Sequence, residues 1–310
     1  MKRLILIFAL AVLTTAVVGC SAENDVSSQS ENATEGGTES LNNRAENSIA
    51  ESNFDDEKAS SQMPSDSDSE SQNIKTGIIA EQLYIGESGD IHYSYYLPES
   101  YDGKREYPMM VVMPGYDMMW FGESSSESNL NWNGFMSWTE LDTEMIVVSA
   151  QLTDWHETSA RQAVELTEYF IDNFAVDTNR VYAAGYSAGG ETMSQAVSMR
   201  PDLYAAYLHG ASQWDGTYES VAENKVAVYI YMAESDEYYG SAKARSAYEN
   251  LHIAYENVGY GDSEIDSLLR IETPEDAFFN EKGIFNYHGG ANVVFDDTDN
   301  LNWIISHIKG

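Results

Sequence analysis

The sequence predicts an α/β fold, a mostly parallel sheet with helices on both faces, entered through an antiparallel hairpin. Three observations point there. From Ile78 onward, short and almost continuous apolar runs recur; segments of helical period lie between them; and residues 20–75 show neither pattern. Apolar runs without alternation are what strands covered on both faces look like. Strand and helix in alternation build a parallel sheet.

Residues 1–19 read as a secretion signal. Lys2 and Arg3 are followed by an apolar stretch, Leu4 to Val18, which is too short to span a bilayer comfortably. Val17-Val18-Gly19-Cys20 resembles a bacterial lipobox, and the chain's single cysteine stands where that motif needs it. The resemblance implies cleavage before Cys20, lipidation there, and a place on the extracellular face of the cell membrane. Residues 20–75 are mostly Ser, Asn, Glu, Asp and Gln, with 13 acids against three bases. Such a composition buries too little apolar surface to offset the entropy of ordering it, so it reads as an extended tether.

Residues 76–310 then form one domain. Ile78 to Ile85 and Ile91 to Leu97 alternate like a hairpin. Met109 to Met113, Met145 to Ser149, Arg180 to Ala184, Tyr204 to Leu208 and Val226 to Met232 read as buried strands. Ser159 to Phe174, Ala188 to Met199, Ser241 to Asn257 and Asp299 to Lys309 carry the helical period.

The chemistry concentrates in Gly185-Tyr186-Ser187-Ala188-Gly189, a Gly-x-Ser-x-Gly entered from an apolar run and left through a helical pattern. That is the strand-turn-helix setting of a nucleophile elbow, in which the flanking glycines let backbones approach a strained turn. A serine hydroxyl needs a base, and the base an orienting acid. Of the histidines after Ser187, His252 and His307 fall in amphipathic helices and His209 ends a strand. His288, in Asn286-Tyr287-His288-Gly289-Gly290, sits in a Gly-rich loop free to reach the sheet edge and is the predicted base. Asp236, in the loop after the strand Val226 to Met232, is the predicted acid, with Glu234 its rival and Glu237 expected to point outward. The oxyanion hole is expected from the N–H groups of Ala188 and Tyr116, the latter just past Gly115; Asp117 is the alternative donor.

With these residues in place the chain resembles the α/β-hydrolases, in the esterase branch similar to polyhydroxybutyrate depolymerases, feruloyl esterases and acetyl xylan esterases. The resembling residues are Tyr96-Leu97-Pro98-Glu99-Ser100-Tyr101, Tyr107-Pro108, Asp177 to Tyr182 before Gly-Tyr-Ser-Ala-Gly-Gly, and the Asp236 and His288 loops. Pro114-Gly115 stands where many relatives have His-Gly. The resemblance implies the α/β-hydrolase fold and a Ser-His-Asp esterase.

Trp120, Trp155 and Trp214 are expected near the carboxyl edge, where flat faces could stack on sugar rings or a phenolic acyl group. Trp138 reads as core, and Met118-Met119 as a pliable wall. Asp296-Asp297-Thr298-Asp299 reads as a helix start. Past the tether there are 38 acids against 11 bases, a balance that repels anionic substrates and argues against a nucleic-acid partner. Neither metal nor nucleotide cofactor is required by any motif. The expected activity is hydrolysis of neutral, carbohydrate-linked acetyl or feruloyl esters. The competing readings are a prolyl-oligopeptidase-like serine peptidase and a non-catalytic glycan-binding surface lipoprotein.

Overall fold

The computed structural model describes residues 74–119, 126–154 and 156–310. The chain divides into two units, 1–67 and 68–310, of which the first lies outside the described residues, together with the expected signal, Cys20 and nearly all of the tether.

Eight strands form one sheet: β1 (Gly77–Gly86), β2 (Gly89–Leu97), β3 (Tyr107–Met113), β4 (Ile146–Gln151), β5 (Val176–Tyr186), β6 (Ala206–Gly210), β7 (Ala227–Tyr231) and β8 (Leu269–Glu272). Their order across the sheet is β1-β2-β4-β3-β5-β6-β7-β8. β1 pairs antiparallel with β2, and β2 antiparallel with β4; every later pairing is parallel. The predicted hairpin is therefore real, and its two-residue tip is Glu87-Ser88. A register shift between Ile79 and Gln82, with Glu81 at φ 58°, bends its first strand.

All residues of β3, β4, β6 and β7 are buried, which requires cover on both sheet faces. The four predicted helices form at His156–Asn173, Ala188–Met199, Ser241–Val258 and Thr298–Ile305. Gly259, at φ 105°, ends the third of these in the left-handed conformation that glycine adopts without a steric penalty. Asp297 caps the fourth by accepting the Asp299 N–H at 3.0 Å, so the acidic run is a helix start as expected. The sequence reading passed over β8, the edge strand beside β7, and several short helices, among them Asn133–Thr139, Glu219–Glu223, Asp262–Leu268 and Asp276–Asn280.

Trp138 is fully buried, as expected of a core residue. The Met118-Met119 pair splits: Met119 is wholly buried, and only Met118 reaches the cavity described below.

Candidate active site

β5 lies at the middle of the sheet and delivers Ser187 at its carboxyl end, directly before the helix Ala188–Met199. Ser187 has φ 55° and ψ −124°, a conformation that non-glycine residues hold only where the surroundings enforce it. The enforcement is steric. A Cβ on Gly189 would lie 2.3 Å from the Met113 carbonyl oxygen, and one on Gly185 would lie 2.4 Å from the Gly189 carbonyl oxygen. Only glycines let β3, the turn and the helix start close this tightly. The Ser187 N–H donates to the Gly210 carbonyl at 2.9 Å, and the Ser212 hydroxyl donates to the Ser187 carbonyl at 2.6 Å, which ties the elbow to the end of β6.

The serine, histidine and aspartate meet. The Ser187 Oγ lies 2.9 Å from His288 Nε2, and His288 Nδ1 lies 2.7 Å from Asp236 Oδ2. A carboxylate only accepts, so the ring proton sits on Nδ1 and leaves Nε2 free to take the serine proton. Asp236 is buried, and burial opposes its ionisation. The His288 ring and the N–H groups of Tyr239 and Tyr238, at 2.7 and 2.9 Å, outweigh that and hold its carboxyl below the usual range. Its rival Glu234 is turned to the surface, in an ion pair with Arg245. His209 is excluded as the base: it is fully buried beneath the elbow, 2.7 Å from the Tyr207 hydroxyl and 3.2 Å from the Ser212 carbonyl oxygen.

Glu237 departs from the expectation that it points away. Its two carboxylate oxygens accept the N–H groups of Tyr287 and His288 at 2.9 and 2.8 Å. Burial opposes this charge too, but the two N–H donors keep the carboxyl below its ordinary range. The loop expected around His288 is one turn of helix, Tyr287–Gly290, whose Asn286 side chain accepts the Gly289 N–H at 2.8 Å. The Tyr186 hydroxyl donates to the His288 carbonyl. The histidine is thus held by its ring, its N–H and its C=O, each by a different partner. The Tyr238 ring stacks on the imidazole at 5.3 Å.

Ser187, Ala188, Gly115, Tyr116 and His288 line one cavity of about 460 Å³. Ala188 is the first residue of the elbow helix and Tyr116 starts a short helix after β3, so both expected N–H donors belong to segments bordering the serine. Asp117 lines the same cavity. A Cβ on Gly115 would stand 3.6 Å from the Ser187 Cβ, which places the Pro114-Gly115 turn against the nucleophile.

Trp120 and Trp155 lie outside the described residues. Trp214 is half-buried, stacked on Tyr218 at 5.5 Å and close to Tyr207 and His209, and it does not belong to the cavity lining. The described aromatic lining is made of tyrosines instead, Tyr116, Tyr186, Tyr238 and Tyr239. Sequence reasoning passed over Tyr238 and Tyr239, whose position directly after Asp236-Glu237 was the available signal. Trp132 braces the cavity from behind, donating its indole N–H to Asn292 Oδ1 at 2.8 Å.

Comparison with known proteins agrees with the fold. The model of the prolyl oligopeptidase family matches residues 149–263, a span that holds Ser187 and Asp236 and stops short of His288. No curated protein sequence matches the chain. Among solved structures, a thermostable esterase superposes with TM-score 0.61 at 16% identity, covering 74% of this chain; the chain spans 62% of that protein's length. A feruloyl esterase module from Clostridium thermocellum, complexed with sinapinate, gives 0.51 at 14% identity, with 76% of this chain and 90% of that one covered. Est1E from Butyrivibrio proteoclasticus gives 0.52 at 12% identity, with 73% and 99% covered. With its antiparallel entry, its parallel strands β3 to β8 and its serine at the β5 elbow, the chain is an α/β-hydrolase by fold.

Proposed function

We propose that the protein is a serine carboxylic-ester hydrolase, that residues 1–19 direct its secretion, and that residues 20–75 tether it by a lipid on Cys20 at the extracellular face of the membrane. The single observation that carries the catalytic reading is the unbroken hydrogen-bonded series Ser187, His288, Asp236 opening into a cavity. Ser187 attacks the ester carbonyl as His288 takes its proton. The alkoxide leaves with that proton, and water drawn across the same imidazole releases the acid from the acyl-enzyme. Asp236 keeps the tautomer and stabilises the imidazolium. The N–H of Ala188, at the positive end of a helix, and that of Tyr116 are the donors for the oxyanion.

The acidic balance of the domain disfavours anionic esters, so uncharged ones, including acetyl or feruloyl groups on carbohydrate, are the substrates this reading favours. Turnover of p-nitrophenyl acetate with a burst, and fluorophosphonate labelling that Ser187→Ala abolishes, are the expected results. Absence of both rejects the proposal. The partial match to the prolyl oligopeptidase family supports a second reading, a serine peptidase. Cleavage of proline-containing peptide amides faster than of any ester would favour it. Labelling by a fatty-acid probe that is lost in Cys20→Ser tests the anchor.

A further inference from the structure

The carboxylate of Glu191 occupies a costly position. Glu191 is the fourth residue of the elbow helix, and its N–H donates to the Ser187 carbonyl at 3.2 Å, so it stands one helical turn from the nucleophile. It lines the catalytic cavity and is only 8% exposed. Its Oε1 accepts the Tyr239 hydroxyl at 2.7 Å, and among the described residues no lysine or arginine pairs with it. The imidazole of His156 is the group whose charge offsets it, and Asp215 adds a further negative charge nearby. Burial raises its pKa, against the pulls of the Tyr239 hydroxyl and the His156 imidazole, so ionisation of this carboxyl is costly. A carboxylate so near the serine also opposes the negative charge that develops on the carbonyl oxygen during attack. A group arranged at such a cost is intelligible when the substrate itself brings the compensating charge.

The rest of the described lining is suited to the same charge. Tyr116, Tyr186, Tyr238 and Tyr239 border the cavity, Asp117 stands at its edge, and the described lining includes no lysine or arginine. Tyrosine faces are negative and attract ammonium groups, most strongly when water is displaced. Tyr116 and Tyr238 are exposed at the mouth, while Tyr186 and Tyr239 lie deeper. An entering cation would therefore pass ring faces before reaching Glu191.

Resting on the esterase reading above, we propose that this cavity selects esters carrying a compact ammonium group beside the scissile bond, with Glu191 as the specificity-determining carboxylate and the tyrosines as its aromatic wall. Uncharged esters still enter; the ammonium-bearing ones gain an attraction that the neutral ones lack.

The test compares choline with its uncharged isostere 3,3-dimethylbutan-1-ol as protectants against fluorophosphonate labelling of Ser187 in the full chain. Choline is expected to halve the labelling rate at a concentration at least about tenfold lower than the isostere, and the gap to narrow as salt is added. In Glu191→Gln, which keeps an acceptor for the Tyr239 hydroxyl, the gap is expected to shrink to within about twofold. Equal protection by the two compounds in the wild type overturns the proposal while leaving the esterase reading intact, because labelling has occurred. A gap that persists undiminished in Glu191→Gln overturns the role of that residue. A wild type that is not labelled at all rejects the esterase reading instead. Calorimetric titration of the same two compounds then decides the ammonium preference: tighter binding of choline supports it, and equal or absent binding overturns it.

Discussion

The Glu237 carboxylate accepts the main-chain N–H of His288 at 2.8 Å, one residue along the chain from the aspartate that holds the same histidine's ring. Two consecutive acids thus grip one residue at two places. Asp236 sets the rotation of the imidazole, and Glu237 sets where its backbone lies relative to β7.

Because Glu237 touches the base only through its backbone, it is a positioning residue, and its loss should appear in turnover rather than in binding. Glu237→Ala is expected to lower kcat roughly tenfold with KM within about twofold, the effect of losing charge-assisted bonds in a largely exposed setting. Glu237→Gln keeps one accepting oxygen and should fall between. Steady-state kinetics on a p-nitrophenyl ester checks this, and a change confined to KM would contradict it.

The competition between Asp236 and Glu234 has a sharp kinetic signature. Asp236→Asn should cost about ten-thousandfold in kcat, because the amide no longer selects the Nδ1-protonated tautomer. Glu234→Gln breaks only an exposed pair with Arg245 and should leave kcat within about twofold. Comparable losses in the two variants would disprove the assignment.

Gly189 in the elbow and Gly115 in the turn facing it should differ sharply in tolerance. Gly189→Ala drives a methyl to 2.3 Å from the Met113 carbonyl oxygen and 2.4 Å from that of Pro114, so β3 or the helix must move. A stability loss of at least about 2 kcal/mol in urea melts is expected. Gly115→Ala meets nothing closer than 3.6 Å and should fold normally. Equal stability of the two variants would refute the steric account of the elbow.

His209 makes the protein sensitive to acid. Burial lowers its pKa to about 4, against the pull of the Ser212 carbonyl, from 6.5 in the unfolded chain. The unfolded chain therefore binds a proton that the folded one refuses. Stability is full above pH 6.5 and declines as pH falls toward 4, by on the order of 3 kcal/mol from this group. Denaturant melts across that range should slope more steeply for the wild type than for His209→Asn. Identical slopes would show that His209 is not the group responsible.

Much of the fold could be read from the chain because its signals are local. The continuous apolar runs that became β3, β4, β6 and β7, and the helical period of Ala188–Met199, require only neighbouring residues to be interpreted. The elbow announced itself for the same reason: its glycines answer to contacts within one tight turn and the strand beside it. β8 was missed because Leu-Arg-Ile-Glu is too short to show a period and is specified by the β7 edge it pairs with. Glu237 was misread as pointing outward, and Glu191 and Tyr239 were passed over, because their partners lie 51 residues away for the first and 48 for the pair formed by the other two.

The sequence by itself determined the α/β class, the strained serine and a short roster of bases and acids to serve it, since sterics and burial act along contiguous stretches of backbone. Only the tertiary structure decided which of them meet. Ser187 and His288 are 101 positions apart, and His288 and Asp236 are 52 apart. Their approach to hydrogen-bonding distance depends on strand order and on how the last loops close over the sheet edge, and no local pattern encodes that.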